Sequence, residues 1–172
     1  EMIWCQGYSE PNAGSDLASL QTKAELVNGE WVINGQKIWT STAQYAHMMF
    51  CLVRTEPDAS KHAGISYLLI PMDTPGIEIR PLVDMTLKAG FNEVFFTDVK
   101  IPETNIVGSR GEGWAVANAT LGHERGSLAP PDAIMSRLNT LILLMQQETR
   151  DGKPLSDDSF YRDRLMKIQA TV

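Results

Sequence analysis

The chain has 172 residues, of which 43% are hydrophobic and 21% charged, and its formal net charge is −6 at neutral pH. That length holds one full core, or one domain and part of a second, and the composition is that of an ordinary globular chain. The negative charge argues against a nucleic-acid surface, which needs a basic patch, and no apolar run is long enough to span a membrane as a helix.

The opening residues Glu1-Met2-Ile3-Trp4 show no basic stretch or cleavage pattern, so no signal peptide is expected. Position 1 is not methionine, which gives the expectation of a piece cut from a longer chain. An apolar strand then runs into a polar turn, Gln6 to Asp16, in which Pro11 fixes its own φ and keeps Glu10 extended. Gly14 gives that turn a position free to take positive φ. Glu10 and Asp16 are expected to hold the turn's own backbone. Residues 18–26 alternate, with Ala18, Leu20, Thr22, Ala24 and Leu26 on one face, which predicts a half-solvated antiparallel strand. Asn28-Gly29 predicts a type I′ hairpin, with a short return strand over 30–33. Asn34-Gly35 is a second tight turn or a bulge.

Over 37–41 a period of two puts Lys37, Trp39 and Ser41 on one face and Ile38 and Thr40 on the other. Further strands are expected at 47–54, 65–70, 77–81 and 93–96, with 56–63 a surface loop and 87–91 an open link. Short strands separated by turns, without helices between them, predict a sandwich or barrel. From Gly108 the pattern changes. Trp114, Ala117 and Leu121 recur at helical spacing, and so do Ile134, Leu138, Leu141, Ile142 and Met145. Pro130-Pro131 should interrupt any continuous helix. After a loop at 151–154, Ser156 or Asp157 is expected to cap a last helix that aligns Tyr161, Leu165, Ile168 and Val172. These helices cannot close a bundle alone. Cys5 and Cys51 lie in strand-like runs, outside any CxxC pair, and read as buried free thiols in a reducing compartment. His47, His62 and His123 lack metal-ligand spacing, so no metal is expected.

The string Ser9-Glu10-Pro11-Asn12-Ala13-Gly14-Ser15-Asp16 resembles the signature loop of the acyl-CoA dehydrogenase family. Four more landmarks agree with it along the chain: Asn34-Gly35-Gln36-Lys37-Ile38-Trp39-Thr40-Ser41, Gly64-Ile65-Ser66, Asp98-Val99-Lys100-Ile101-Pro102 and Gly111-Glu112-Gly113-Trp114. Tyr8 departs from the pattern, which has an aliphatic residue or methionine there. The resemblance implies an α+β chain, with an antiparallel β-barrel or sandwich middle domain over 1–108. Residues 109–172 would then begin a truncated C-terminal helical bundle.

It also implies FAD as cofactor and α,β-desaturation of acyl-CoA thioesters, by α-proton abstraction and β-hydride transfer. On this reading Trp39 packs beside the flavin and Ser41, where threonine is common, hydrogen-bonds the ring. Gln6, Tyr8, Ser9, Ser15 and Thr40 complete the cofactor side. Without the motif, Trp39 would read as core and Ser41 as a polar strand end. Ser15 and Arg125 are the implied substrate contacts, although the family's aspartate three residues before that arginine is Gly122 here. Glu124 matches the catalytic base of the long-chain and isovaleryl types. In most other members the base lies far downstream, and Glu124 could equally be a helix carboxylate balanced by Arg125. Arg150 and Arg162 are alternatives for an arginine that reaches a neighbouring subunit's FAD pyrophosphate, since residues 151–159 depart from the usual R-x-x-F-G.

The partners implied are acyl-CoA, a homodimer or homotetramer, and an electron-transfer flavoprotein. The implied location is the cytoplasm of a bacterium or the mitochondrial matrix of a eukaryote. An acyl-CoA oxidase, a flavin monooxygenase and a non-catalytic relative are the alternatives on the same scaffold. The piece alone is expected to be inactive and to hold FAD poorly.

Overall fold

The computed structural model describes residues 1–127 and 131–170, leaving aside the side chains of 124–127 and 131. In chain order the elements are β1 (Trp4–Gly7), β2 (Lys23–Val27), β3 (Glu30–Ser41), β4 (Met48–Arg54), β5 (Ile65–Pro71), β6 (Ile77–Leu82) and β7 (Phe91–Pro102). Then come α1 (Gly113–Ser127), α2 (Pro131–Gln147), β8 (Thr149–Arg150), β9 (Lys153–Pro154) and α3 (Ser159–Gln169). The chain divides into two compact units, Glu1–Thr120 and Leu121–Val172, and α1 runs across the division.

The first unit is a curled seven-stranded sheet forming a half-barrel, in the order β1-β4-β2-β3-β7-β6 with β5 added on β4. The sheet is mixed rather than purely antiparallel. β1 runs parallel to β4 through four residue pairs, and β2 meets β4 in parallel at Lys23 and Arg54. Parallel neighbours need a long connection, and residues 8–47 provide it between β1 and β4. The core of this unit buries Trp31, Ile33, Met49, Leu68, Val94 and Ile101 in one cluster. Cys5 and Cys51 are free and buried in the same core.

The Asn28-Gly29 hairpin has the expected geometry, with φ of 54° and 81° and Val27 paired to Glu30. The strand expected over 18–26 begins only at Lys23, because residues 17–19 wind into a 3-10 turn. Asp16 draws that turn together: its carbonyl accepts the Ser19 N–H, and its carboxylate accepts the Ser19 hydroxyl at 2.5 Å. The alternation of burial still holds, since Ala18, Leu20, Thr22 and Ala24 are buried while Gln21, Lys23 and Glu25 are exposed. Asn34-Gly35 is a bulge within one long strand, not a turn. There Asn34 faces two residues of β7 and exchanges two hydrogen bonds with Asp98, at 3.0 and 2.9 Å. Gly35 is required at this point, since a Cβ would sit 2.6 Å from Thr22 Cα.

In the second unit Leu138 and Met145 of α2 pack with Leu165 of α3, and Leu141, Ile142, Leu155 and Tyr161 cover them. Ile134 and Ile168 are exposed, off that seam. Pro131 opens α2, where its missing N–H costs nothing. The cap of α3 is Asp158, whose carboxylate accepts the Phe160 N–H at 2.9 Å. The expected caps, Ser156 and Asp157, are held in a 3-10 turn just before it. Val172 and Pro130 lie outside the described residues.

Candidate flavin-facing site

β1 delivers Gln6, half-buried, and Gly7, then the chain turns at Tyr8. The Tyr8 ring is only 3% exposed, set edge-on to Phe50 and Tyr67 with centroids 5.9 and 6.2 Å away. Tyr8 therefore helps to build the core beneath the loop. Ser9 is half-buried and its carbonyl accepts the Ile38 N–H at 2.9 Å, which brings the loop alongside β3. Glu10 and Ala13 exchange two backbone hydrogen bonds of 3.0 Å around Pro11-Asn12.

The Glu10 carboxylate does more than tie its own loop. It accepts the Gln21 N–H at 2.6 Å, the Thr22 N–H at 2.8 Å and the Lys37 ammonium at 2.8 Å. Lys37 also donates to the Tyr8 carbonyl at 3.1 Å, and its side chain has no exposed surface. Burial alone would push the Glu10 carboxyl up; the Lys37 charge and these hydrogen bonds outweigh it, so the group titrates below the ordinary glutamate range. This pair escaped the sequence reading, although a signal was present. Trp31, Ile33 and Lys37 occupy alternate positions of one strand, and a lysine in that phase needs a buried acid.

Beyond Lys37 the period of two fails. β3 carries one extra residue against β7, so Ile38 and Trp39 together oppose Glu93, and Trp39 takes φ of 60°. The bulge resets the alternation. Lys37 and Thr40 are both buried, while Trp39 is 60% exposed and Ser41 is exposed. Lys37 therefore does not share the face of Trp39 and Ser41, as simple alternation would have it. The Trp39 indole stands edge-on to Phe91, with centroids 5.9 Å apart, and its remaining surface is open. Thr40 turns inward. Its hydroxyl has no partner among the described residues, and its carbonyl accepts from Asn92 at 2.9 Å. Thr42, at φ of 58°, donates its hydroxyl to the Ser41 carbonyl at 2.7 Å. Two strained non-glycine residues thus flank Ser41, and strain of this kind gathers at ligand-facing positions. A bare indole with a hydroxyl two residues on suits a flat conjugated ring with hydrogen-bonding edges.

Ser15 lies on the exposed arm of the same turn. Next to it, Asp16 takes 2.5 Å contacts from Lys61 and Ser19, which hold its carboxyl below the ordinary range. Glu124 and Arg125 lie on α1, but their side chains are outside the described residues. Arg150 on β8 and Arg162 on α3 are both exposed. Among the described residues no group of His, Cys, Asp and Glu is placed to hold a metal ion.

Comparison with known proteins places the chain in a family and a fold. The acyl-CoA dehydrogenase middle-domain model matches residues 5–99, and the C-terminal-domain model of the same family matches residues 111–172. Acyl-CoA dehydrogenase IpdE1 of Mycobacterium tuberculosis is 48% identical over 167 residues, covering 96% of this chain and 42% of its own length. An acyl-CoA dehydrogenase of Geobacillus kaustophilus superposes with a TM-score of 0.83 at 30% identity, over 98% of this chain and 46% of that one. The ChsE4-ChsE5 complex of Mycobacterium tuberculosis gives 0.82 at 35% identity, over 98% and 44%. The chain thus spans less than half the length of these relatives. With both family domains matched in order and the fold shared along its length, the chain belongs to the acyl-CoA dehydrogenase family.

Proposed function

We propose that this chain supplies the flavin-facing wall and the first C-terminal helices of an FAD-dependent acyl-CoA dehydrogenase that desaturates acyl-CoA thioesters. The observation that carries this reading is the bulge at Trp39, which exposes an indole beside Ser41 on a strand whose buried positions Trp31, Ile33 and Lys37 face the core. FAD, when bound, supplies the hydride acceptor. Trp39 would pack along the ring and the Ser41 hydroxyl would hydrogen-bond its edge. Gln6, Ser9 and the backbone around Tyr8 and Thr40 would border the rest of the cofactor. Ser15 and Arg125 would hold the acyl-CoA. Glu124 would take the α-proton, in a site closed to water. Closure needs the remainder of the protein and a second subunit, so the active form is an oligomer that passes electrons to an electron-transfer flavoprotein in the cytoplasm. The solved ChsE4-ChsE5 relative is itself a complex, which supports assembly.

Anaerobic titration of the complete protein with acyl-CoAs of graded length tests this reading. Bleaching of the oxidised flavin band by at least one acyl-CoA is expected. A flavin that stays oxidised with every chain length would refute the assignment.

A further inference from the structure

The buried pair beneath the loop has a use that packing alone does not account for. Two well-fitted apolar side chains would fill the same space at no cost in stability, because burying two charges forfeits much of what their attraction returns. What the ions add is direction. The Lys37 ammonium reaches two acceptors on the loop, the Tyr8 carbonyl at 3.1 Å and Glu10 Oε1 at 2.8 Å. The same carboxylate holds the entry to β2 through the Gln21 and Thr22 N–H groups. One residue after Lys37, the Ile38 N–H donates to the Ser9 carbonyl at 2.9 Å, and one residue after that the bulge turns Trp39 outward. The three ties from β3, two from Lys37 and one from Ile38, fix the spacing between the loop that bears Ser9 and the strand segment that bears Trp39 and Ser41, and the Gln21 and Thr22 bonds hold the carboxylate in place for them.

We propose that Lys37 is a positioning residue: paired with Glu10, it clamps the Ser9 loop to β3 and so sets the spacing between that loop and the Trp39–Ser41 segment. The proposal rests on the flavin reading of that wall. The ammonium does not touch the ligand. It acts through the Tyr8 carbonyl and the Glu10 carboxylate, and through the strand that leads into the bulge.

The test uses the double variant Lys37→Met/Glu10→Gln, which removes both charges and leaves no orphan ion. Amide hydrogen exchange is followed residue by residue in the present chain, and FAD retention is followed in the complete protein alongside Trp39→Ala. The expected result is selective. The Ile38 amide should lose roughly tenfold or more of its protection, as loss of a charged tie implies. Leu52 and Leu68, in the paired β4 and β5, should keep theirs. FAD should bind roughly tenfold more weakly. If the double variant does not fold, Glu10→Asp keeps both charges, withdraws the carboxylate by one methylene, and should give the same pattern with smaller amplitude.

Uniform loss of protection over all strands, or none at Ile38, would overturn the clamp, because a role in global stability alone moves every slow amide together. Selective loss at Ile38 with unchanged FAD retention, while Trp39→Ala weakens it, would overturn the positioning role and leave the flavin reading standing. Unchanged retention in both variants would remove the flavin reading and this proposal with it.

Discussion

Replacing Glu10 by glutamine keeps the shape of the side chain, removes its charge and turns one of its two accepting oxygens into a donor. The structure shows what is left behind. The Lys37 side chain is wholly buried, and after the change its ammonium keeps the Tyr8 carbonyl as an acceptor but has lost its counter-charge. An uncompensated buried charge costs about 3–5 kcal/mol, against a total stability of about 5–15 kcal/mol for a domain. At about 2–4 °C for each kcal/mol in a chain of this size, the midpoint of thermal unfolding should fall by roughly 6–20 °C. The assay is a melt followed by circular dichroism, with Asp16→Asn as control. That control breaks the Lys61–Asp16 pair, whose two side chains are 48% and 63% exposed, and should leave the midpoint within replicate scatter.

The pH dependence follows from the same pair. Glu10 titrates below its ordinary value in the folded chain. Its contribution is therefore fully present above the unfolded glutamate pKa of about 4.3, and is lost as pH falls through the lower folded value. Glu10→Gln should flatten that part of the acid limb. A variant that melts no lower than Asp16→Asn, or that keeps the full acid limb, would refute the claim that this ion pair is buried and holds the loop.

Two further outcomes are expected. Burial pushes the Cys5 thiol up to about 12 and the Cys51 thiol up to about 11. Neither should react with a thiol-specific disulfide reagent in the native chain, and both should react on unfolding; rapid native labelling would contradict the buried core drawn for β1 and β4. In the complete protein, Glu124→Gln should abolish exchange of the substrate α-proton with solvent while FAD stays bound. Retained exchange would hand the role of base to another residue.

What could be read from the sequence was local. The Asn28-Gly29 hairpin needs only its own two left-handed residues, and the alternation from Ala18 to Ala24 survives even where the strand does not. The signature loop and the Trp39 motif named the family. What could not be read depended on distant partners. The bulge at Asn34 is set by Asp98, 64 residues away, and the reset at Trp39 by register against β7. The parallel pairing of β1 with β4 is a property of the whole sheet. Lys37 finds Glu10 across 27 residues, and a strict period of two assigned it to the wrong face because the extra residue follows it. The α3 cap missed by one or two positions for a local reason: three consecutive polar candidates, Ser156, Asp157 and Asp158, compete, and the 3-10 turn takes the first two.

The central claim is that Trp39 is exposed because a flavin packs on it. FAD retention by the complete protein, measured by gel filtration and the flavin absorbance that co-elutes, compares the parent with Trp39→Ala. Since the indole is 60% exposed, the substitution should change stability by no more than about 1 kcal/mol. Retention should fall steeply while the melting midpoint hardly moves. Equal flavin content in both proteins would contradict the claim and make Trp39 an ordinary surface residue.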